Sequence, residues 1–166
     1  VVNALSDYLK VSVMRDNKVF TQEYSKGHSQ TELQVEPLSS EREGTTGTSI
    51  TFMPDAEIFG DLVYDFSVLI TRFKEMAYLN KGLEIRFKSE WHKNRWPANQ
   101  VTYYFEGGIS SFVRSLNQNR GMMHPDPIYV ESQVENTRVE IALQYNDSFS
   151  EFVYAFANCI NTEDGG

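Results

Sequence analysis

The chain has 166 residues, of which 40% are hydrophobic, 13% aromatic and 23% charged, with a net charge of −8. That composition suffices for a packed core and excludes global disorder, and no apolar run reaches the roughly 18 residues a membrane helix needs or resembles a secretory leader. Without clustered Lys and Arg to neutralise phosphates, the segment is not expected to be a main DNA-binding surface.

Val1 to Leu5 reads as the last turns of a helix, leaving through Ser6 and Asp7. Val11, Val13, Val19 and Thr21 alternate around Asp16-Asn17, where Asn tolerates the positive φ of a tight turn, so a β-hairpin is predicted over Lys10 to Tyr24. Ser25 to Glu43 is polar, with Leu33, Val35 and Leu38 as its apolar anchors, and reads as a surface connection holding one short strand. Gly44-Thr45-Thr46-Gly47 leads into a β-branched strand from Thr48 to Phe52, stopped by Pro54.

Phe66, Leu69, Ile70, Phe73, Met76 and Ala77 recur at helical spacing, with Asp65 placed to cap the start and Gly82 to end the helix. Leu83 to Phe87 and Val101 to Phe105 then read as two strands paired across a loop. Gly107-Gly108 breaks the pattern and marks a boundary. Ile109 to Leu116 follows as a short amphipathic helix, and three strands of one antiparallel sheet are expected at Ile128–Ser132, Arg138–Tyr145 and Glu151–Ile160. Neither Val1 nor Gly165-Gly166 reads as a natural terminus.

Chemistry is sparse at this level. The glycine segment lacks the Lys-Ser/Thr ending of a phosphate loop and enters a strand instead of a helix. His28, His92 and His124 are far apart, so no metal site is expected, and no nucleophile elbow accompanies the serines. Trp91, His92, Lys93, Arg95 and Trp96 form a basic aromatic cluster that reads as a solvated surface feature. Cys159 excludes an intrachain disulfide, fits a reducing cytoplasm, and reads as a small buried apolar side chain. After Gly107, three arginines face eight carboxylates.

Several strings, in order, resemble the gyrase B family of bacterial type IIA topoisomerase ATPase subunits. They are Val1-Val2-Asn3-Ala4-Leu5-Ser6, Gly44-Thr45-Thr46-Gly47-Thr48 with Phe52-Met53-Pro54-Asp55, and Leu79-Asn80-Lys81-Gly82. Phe105-Glu106-Gly107-Gly108-Ile109, Glu140 to Asp147 and Phe156 to Thr162 continue the match, which extends end to end. Topoisomerase IV shares the early strings, whereas the later ones look more like gyrase B. A non-enzymatic α+β binding module is the competing class.

The resemblance implies an α+β fold: the C-terminal half of a GHKL-type ATPase α/β sandwich over residues 1–106, then the first half of an S5-like transducer over residues 107–166. It implies a parent that couples ATP and Mg²⁺ to DNA strand passage, works with the gyrase A subunit and duplex DNA, and dimerises on binding ATP. The family's catalytic Glu, Mg²⁺-holding Asn, adenine-reading Asp and glycine-rich lid fall upstream of Val1, and its γ-phosphate Lys downstream of Gly166, so no catalytic residue is expected in this chain. Three residues carry over. Thr48 matches the threonine that helps hold adenine, Ile50 should form apolar wall beneath the base, and Arg15 matches the arginine that anchors aminocoumarin inhibitors. Cys159 stands where the family commonly has Asn.

Overall fold

The computed structural model describes residues 1–95 and 98–162. Trp96 of the basic aromatic cluster and the terminal Gly165-Gly166 lie outside the described residues. The chain divides into two compact units, Val1–Val63 and Tyr64–Gly166.

In the first unit, β1 (Ser6–Arg15) and β2 (Lys18–Ser25) form the predicted hairpin, with Arg15 opposite Lys18 and Leu9 opposite Tyr24. Asp16 and Asn17 have φ of 52° and 56°. That left-handed pair is what a two-residue hairpin turn demands, and Asp and Asn tolerate it. The expected helix end before the hairpin is only a single 3-10 turn, Asn3–Leu5. The polar stretch holds two short strands instead of one, β3 (His28–Ser29) and β4 (Gln34–Pro37), both paired with β2. β5 (Gly47–Pro54) runs antiparallel along the other side of β1, completing a five-stranded sheet.

Asp55 then caps the four-residue helix α1 (Ala56–Phe59) by accepting the Glu57 N–H at 2.9 Å. Lys26 Nζ, at the end of β2, lies 3.0 Å from Asp55 and 2.8 Å from Glu57. Both carboxylates raise the lysine pKa, the Glu57 hydrogen bond most.

The second unit is organised by α2 (Phe66–Leu79). Asp65 caps it by accepting the N–H groups of Val68 (3.1 Å) and Ser67 (2.7 Å), and these bonds hold its carboxyl below the usual range. The helix buries Phe66, Ala77 and Tyr78. Phe66 and Phe73 meet Phe87 at centroid distances of 5.6 and 5.1 Å, which seats α2 on the hairpin of β6 (Ile85–Lys88) and β7 (Gln100–Tyr103). Tyr78 stacks on Phe105 at 3.6 Å and meets Phe112 of α3 (Ile109–Leu116) at 5.3 Å. The Gly107 break therefore lies inside this unit, between β7 and α3.

In the basic aromatic segment Trp91, Lys93 and Arg95 are exposed, as expected of a solvated surface feature, and His92 is half-buried. His92 packs on Phe66 at 5.3 Å and accepts or donates a 2.7 Å bond with Ser89, Arg95 lies over the Phe66 ring, and Lys93 pairs with Glu90. β8 (Ile128–Val134) and β9 (Thr137–Leu143) form the expected antiparallel pair. The third strand does not join them. Its region yields only a separate two-stranded turn, β10 (Phe156–Ala157) with β11 (Ile160–Asn161).

The reason lies in Asn158 and Cys159, whose φ values of 48° and 66° reverse the chain inside the run that alternation had made continuous. Cys159 is exposed, not buried, with its sulfur 3.3 Å from Asn80 Nδ2. A left-handed conformation costs an ordinary L-residue about 1–2 kcal/mol and Asn less, because its short polar side chain can hydrogen-bond locally. Cys159→Asn is accordingly expected to stabilise the chain by roughly 0.5–1 kcal/mol and Cys159→Val to destabilise it. Urea titrations of the two variants should move in opposite directions, and equal midpoints would contradict the turn.

The architecture is α+β with antiparallel sheets, as expected. Among the described residues no helix is long and apolar enough to cross a membrane.

Candidate functional site

Strand pairing places the three residues singled out from the sequence on one face of the first unit's sheet. Thr48 stands opposite Val13 and Ile50 opposite Val11. Side chains directly opposite one another share a face, and so do residues two apart on a strand. Arg15 is two residues beyond Val13 and so belongs to the same row, about 7 Å further along β1 at 3.4 Å per residue. Phe52 opposite Leu9, and Phe20 opposite Val13 on β2, extend the face.

The two faces of the sheet differ in chemistry. The row with Thr48 carries Val11, Val13, Phe20, Ile50 and Phe52 along with Gln22 and Lys18, whereas the reverse carries Lys10, Ser12, Thr21, Glu23, Ser49 and Thr51 along with Met14 and Val19. On that reverse side Ser12 and Thr21 share a 2.9 Å hydroxyl bond and Lys10 lies 3.3 Å from Glu23. A flat base would find the longer run of branched and aromatic side chains on the first face, around Val11, Val13, Ile50 and Phe52.

β5 is an edge strand with β1 as its neighbour, and its apolar row stands open: Ile50 is 59% and Phe52 48% exposed. Thr48 is exposed as well.

The strand is positioned from its start. Gly44 has φ +77°, which suits glycine, and its N–H donates to Asn17 Oδ1 at 2.8 Å. Asn17 thus holds the glycine segment against the hairpin tip, and Met14 opposite Gly47 sets the register that puts Thr48 beside Val13. Arg15 is exposed at the hairpin end, 3.4 Å from Asp16.

Val11, Val13, Phe20 and Phe52 are among the residues of this face not named as site residues in the sequence analysis. The alternation read around Asp16-Asn17 took in Val11 and Val13 but paired them with Val19 and Thr21, which lie on the reverse face. Val19 stands opposite Met14 and Thr21 opposite Ser12, while Phe20 takes the place opposite Val13. For a metal, the described residues contain no group of three His, Cys, Asp or Glu side chains able to hold one.

Comparison with known proteins gives this geometry a context. The DNA gyrase B family profile matches residues 108–166. The DNA gyrase B protein of Halalkalibacterium halodurans is 41% identical over 167 residues, an alignment covering 100% of this chain and 25% of that protein. Its counterpart in Archaeoglobus fulgidus, also a DNA gyrase B protein, is 42% identical over 168 residues with the same coverage. The chain belongs to the DNA gyrase B family.

It spans about a quarter of the length of these gyrase B relatives. Its fold is that of a gyrase B ATPase region. The 43K ATPase domain of Thermus thermophilus gyrase B, solved in complex with an aminocoumarin, superposes with a TM-score of 0.84 at 31% identity, over 99% of this chain and 43% of that one.

Proposed function

We propose that this chain supplies the adenine end of the nucleotide site in an ATP-hydrolysing type IIA topoisomerase subunit. The observation that carries the reading is the shared face: a hydroxyl at Thr48, an aliphatic side chain at Ile50 and a cation at Arg15, on one face with Val11, Val13 and Phe52. Thr48 contributes a group that both donates and accepts toward the amino edge of a purine. Ile50 packs against the base, and Arg15 at the rim is the anchor for an aminocoumarin, the kind of ligand present in the Thermus relative.

The residues present fit adenine but not the metal. Mg²⁺ finds no ligand set among the described residues, and neither its coordination nor phosphate chemistry is assigned to them. In the larger subunit, ATP turnover drives DNA strand passage together with gyrase A, in the cytoplasm, with dimerisation on ATP binding. Residues 1–106 are the end of the GHKL-type domain and residues 107–166 the start of the transducer.

Thr48→Val tests the reading in a subunit extended to the length of its relatives. Valine keeps the branched shape and strand preference of threonine while deleting the hydroxyl. With the base seated, an unsatisfied polar partner costs about 1–3 kcal/mol, or roughly 5- to 150-fold in affinity. Calorimetric titration with a non-hydrolysable ATP analogue should show that loss beside an unchanged thermal melt. Affinity within about twofold of the parent, in a folded variant, removes Thr48 from the site.

A further inference from the structure

A polar network joins the connection between α3 and β8 to the residues that leave β9. Asn117, at the end of α3 and nearly buried, donates from Nδ2 to Gln144 Oε1 at 3.1 Å and accepts from Asn146 Nδ2 at 2.8 Å. Gln144 Nε2 donates to the His124 carbonyl at 3.0 Å. Backbone bonds run beside it: Met123 N–H to the Tyr145 carbonyl at 3.0 Å, and Asp147 N–H to the Gly121 carbonyl at 2.8 Å.

His124 occupies the middle of this seam with both ring nitrogens engaged. Nε2 receives the Tyr145 N–H at 3.0 Å, and Nδ1 lies 2.7 Å from the Asp126 carbonyl oxygen. A backbone N–H can only donate and a carbonyl can only accept. Nε2 must therefore be bare and Nδ1 must carry the proton, which defines one neutral tautomer. A second proton on the ring would set N–H against N–H, and the Tyr145 bond could not survive it.

The charged and titratable groups around the ring are otherwise committed. The Asp126 carboxylate pairs with Arg114 of α3 at 2.6 Å, the Asp147 carboxylate accepts the Gly121 N–H at 3.0 Å, and the Tyr145 ring meets the imidazole edge-on at 6.0 Å.

We propose that His124 is a proton-sensitive latch: its neutral ring fastens the α3–β8 connection to the segment leaving β9, and protonation releases the Tyr145 side of that junction. The remaining backbone bonds confine the change to a local opening, and the network through Asn117 and Gln144 stays intact because none of its groups titrates. Imidazole is the side chain that ordinarily changes charge between about pH 5 and 8, and that is the range over which the release is tested.

Backbone amide hydrogen exchange on the chain, corrected for the intrinsic pH dependence of exchange, tests the latch from about pH 7.5 to about pH 5.5. Protection of the Tyr145 amide should fall about tenfold while that of Asp147, bonded to a carbonyl, changes less than about twofold. His124→Gln places an amide oxygen where Nε2 stood, so its Tyr145 protection should be independent of pH. A flat Tyr145 profile in the parent chain overturns the proposal, as does an equal fall in the Gln variant. Should that variant not fold, ring-nitrogen NMR of the parent decides it. A proton on Nδ1 and a bare Nε2 at the higher pH support the latch, and a proton on Nε2 sinks it.

Discussion

Tyr78→Ala is expected to destabilise the second unit by about 3–5 kcal/mol, the usual cost of removing a buried aromatic ring. Tyr78 is 5% exposed, its ring lies nearly parallel to Phe105 at 3.6 Å and 16°, and Phe112 approaches at 5.3 Å. Its removal opens a cavity between α2, α3 and the chain leaving β7, and aromatic pairing adds about 0.5–1.5 kcal/mol beyond the buried area. Ala77 beside it is fully buried, so the adjacent turn has no larger side chain that could swing in. Tyr78→Phe keeps the ring and should cost under about 1.5 kcal/mol. Both tryptophans lie in this unit's stretch of sequence, which makes urea unfolding followed by their fluorescence a direct readout. An alanine variant within about 1 kcal/mol of the parent would show that the stack is not the core of the unit.

The purified chain is expected to hydrolyse ATP no faster than buffer. By the family resemblance the general base and the Mg²⁺-holding side chain lie upstream of Val1, and a positioned acid or base typically contributes about 10²- to 10⁴-fold in rate. The surface at Thr48 and Ile50 can contact a base but offers no group to activate water at a distant phosphate. A coupled steady-state assay reads the outcome. Turnover that follows the protein through purification and disappears in Thr48→Val would mean that catalytic groups are present here and have been overlooked.

Much of the fold was legible because its signals are local. The Asp16-Asn17 turn, the Asp65 cap, the aromatic period from Phe66 to Ala77 and the Ile109–Leu116 helix all depend on residues within a few positions of one another. The misreadings came from patterns that admit two solutions. Glu151 to Ile160 alternates like a strand, but a reversal at Asn158-Cys159 satisfies the same residues in a separate short hairpin. Cys159 reads as a buried small side chain until the same reversal puts it at the surface. Of the candidate site, Thr48, Ile50 and Arg15 came from family likeness and not from residue chemistry. Their common face was implicit in the alternation but required the partner strand to be known.

By itself the sequence determined the identities and approximate limits of the main hairpins and helices, and it carried the strings that mark the gyrase B family. Turns, caps and periodic faces are set by short-range hydrogen bonds and side-chain spacing, which a linear reading can follow. Only the tertiary structure decided that β5 lies along β1, so that Val13 meets Thr48, and that His124 bridges two separated segments with both ring nitrogens. Those pairings join residues distant in the chain. Which ones form depends on closing the intervening loops and on matching burial across the whole sheet, and no local pattern encodes either.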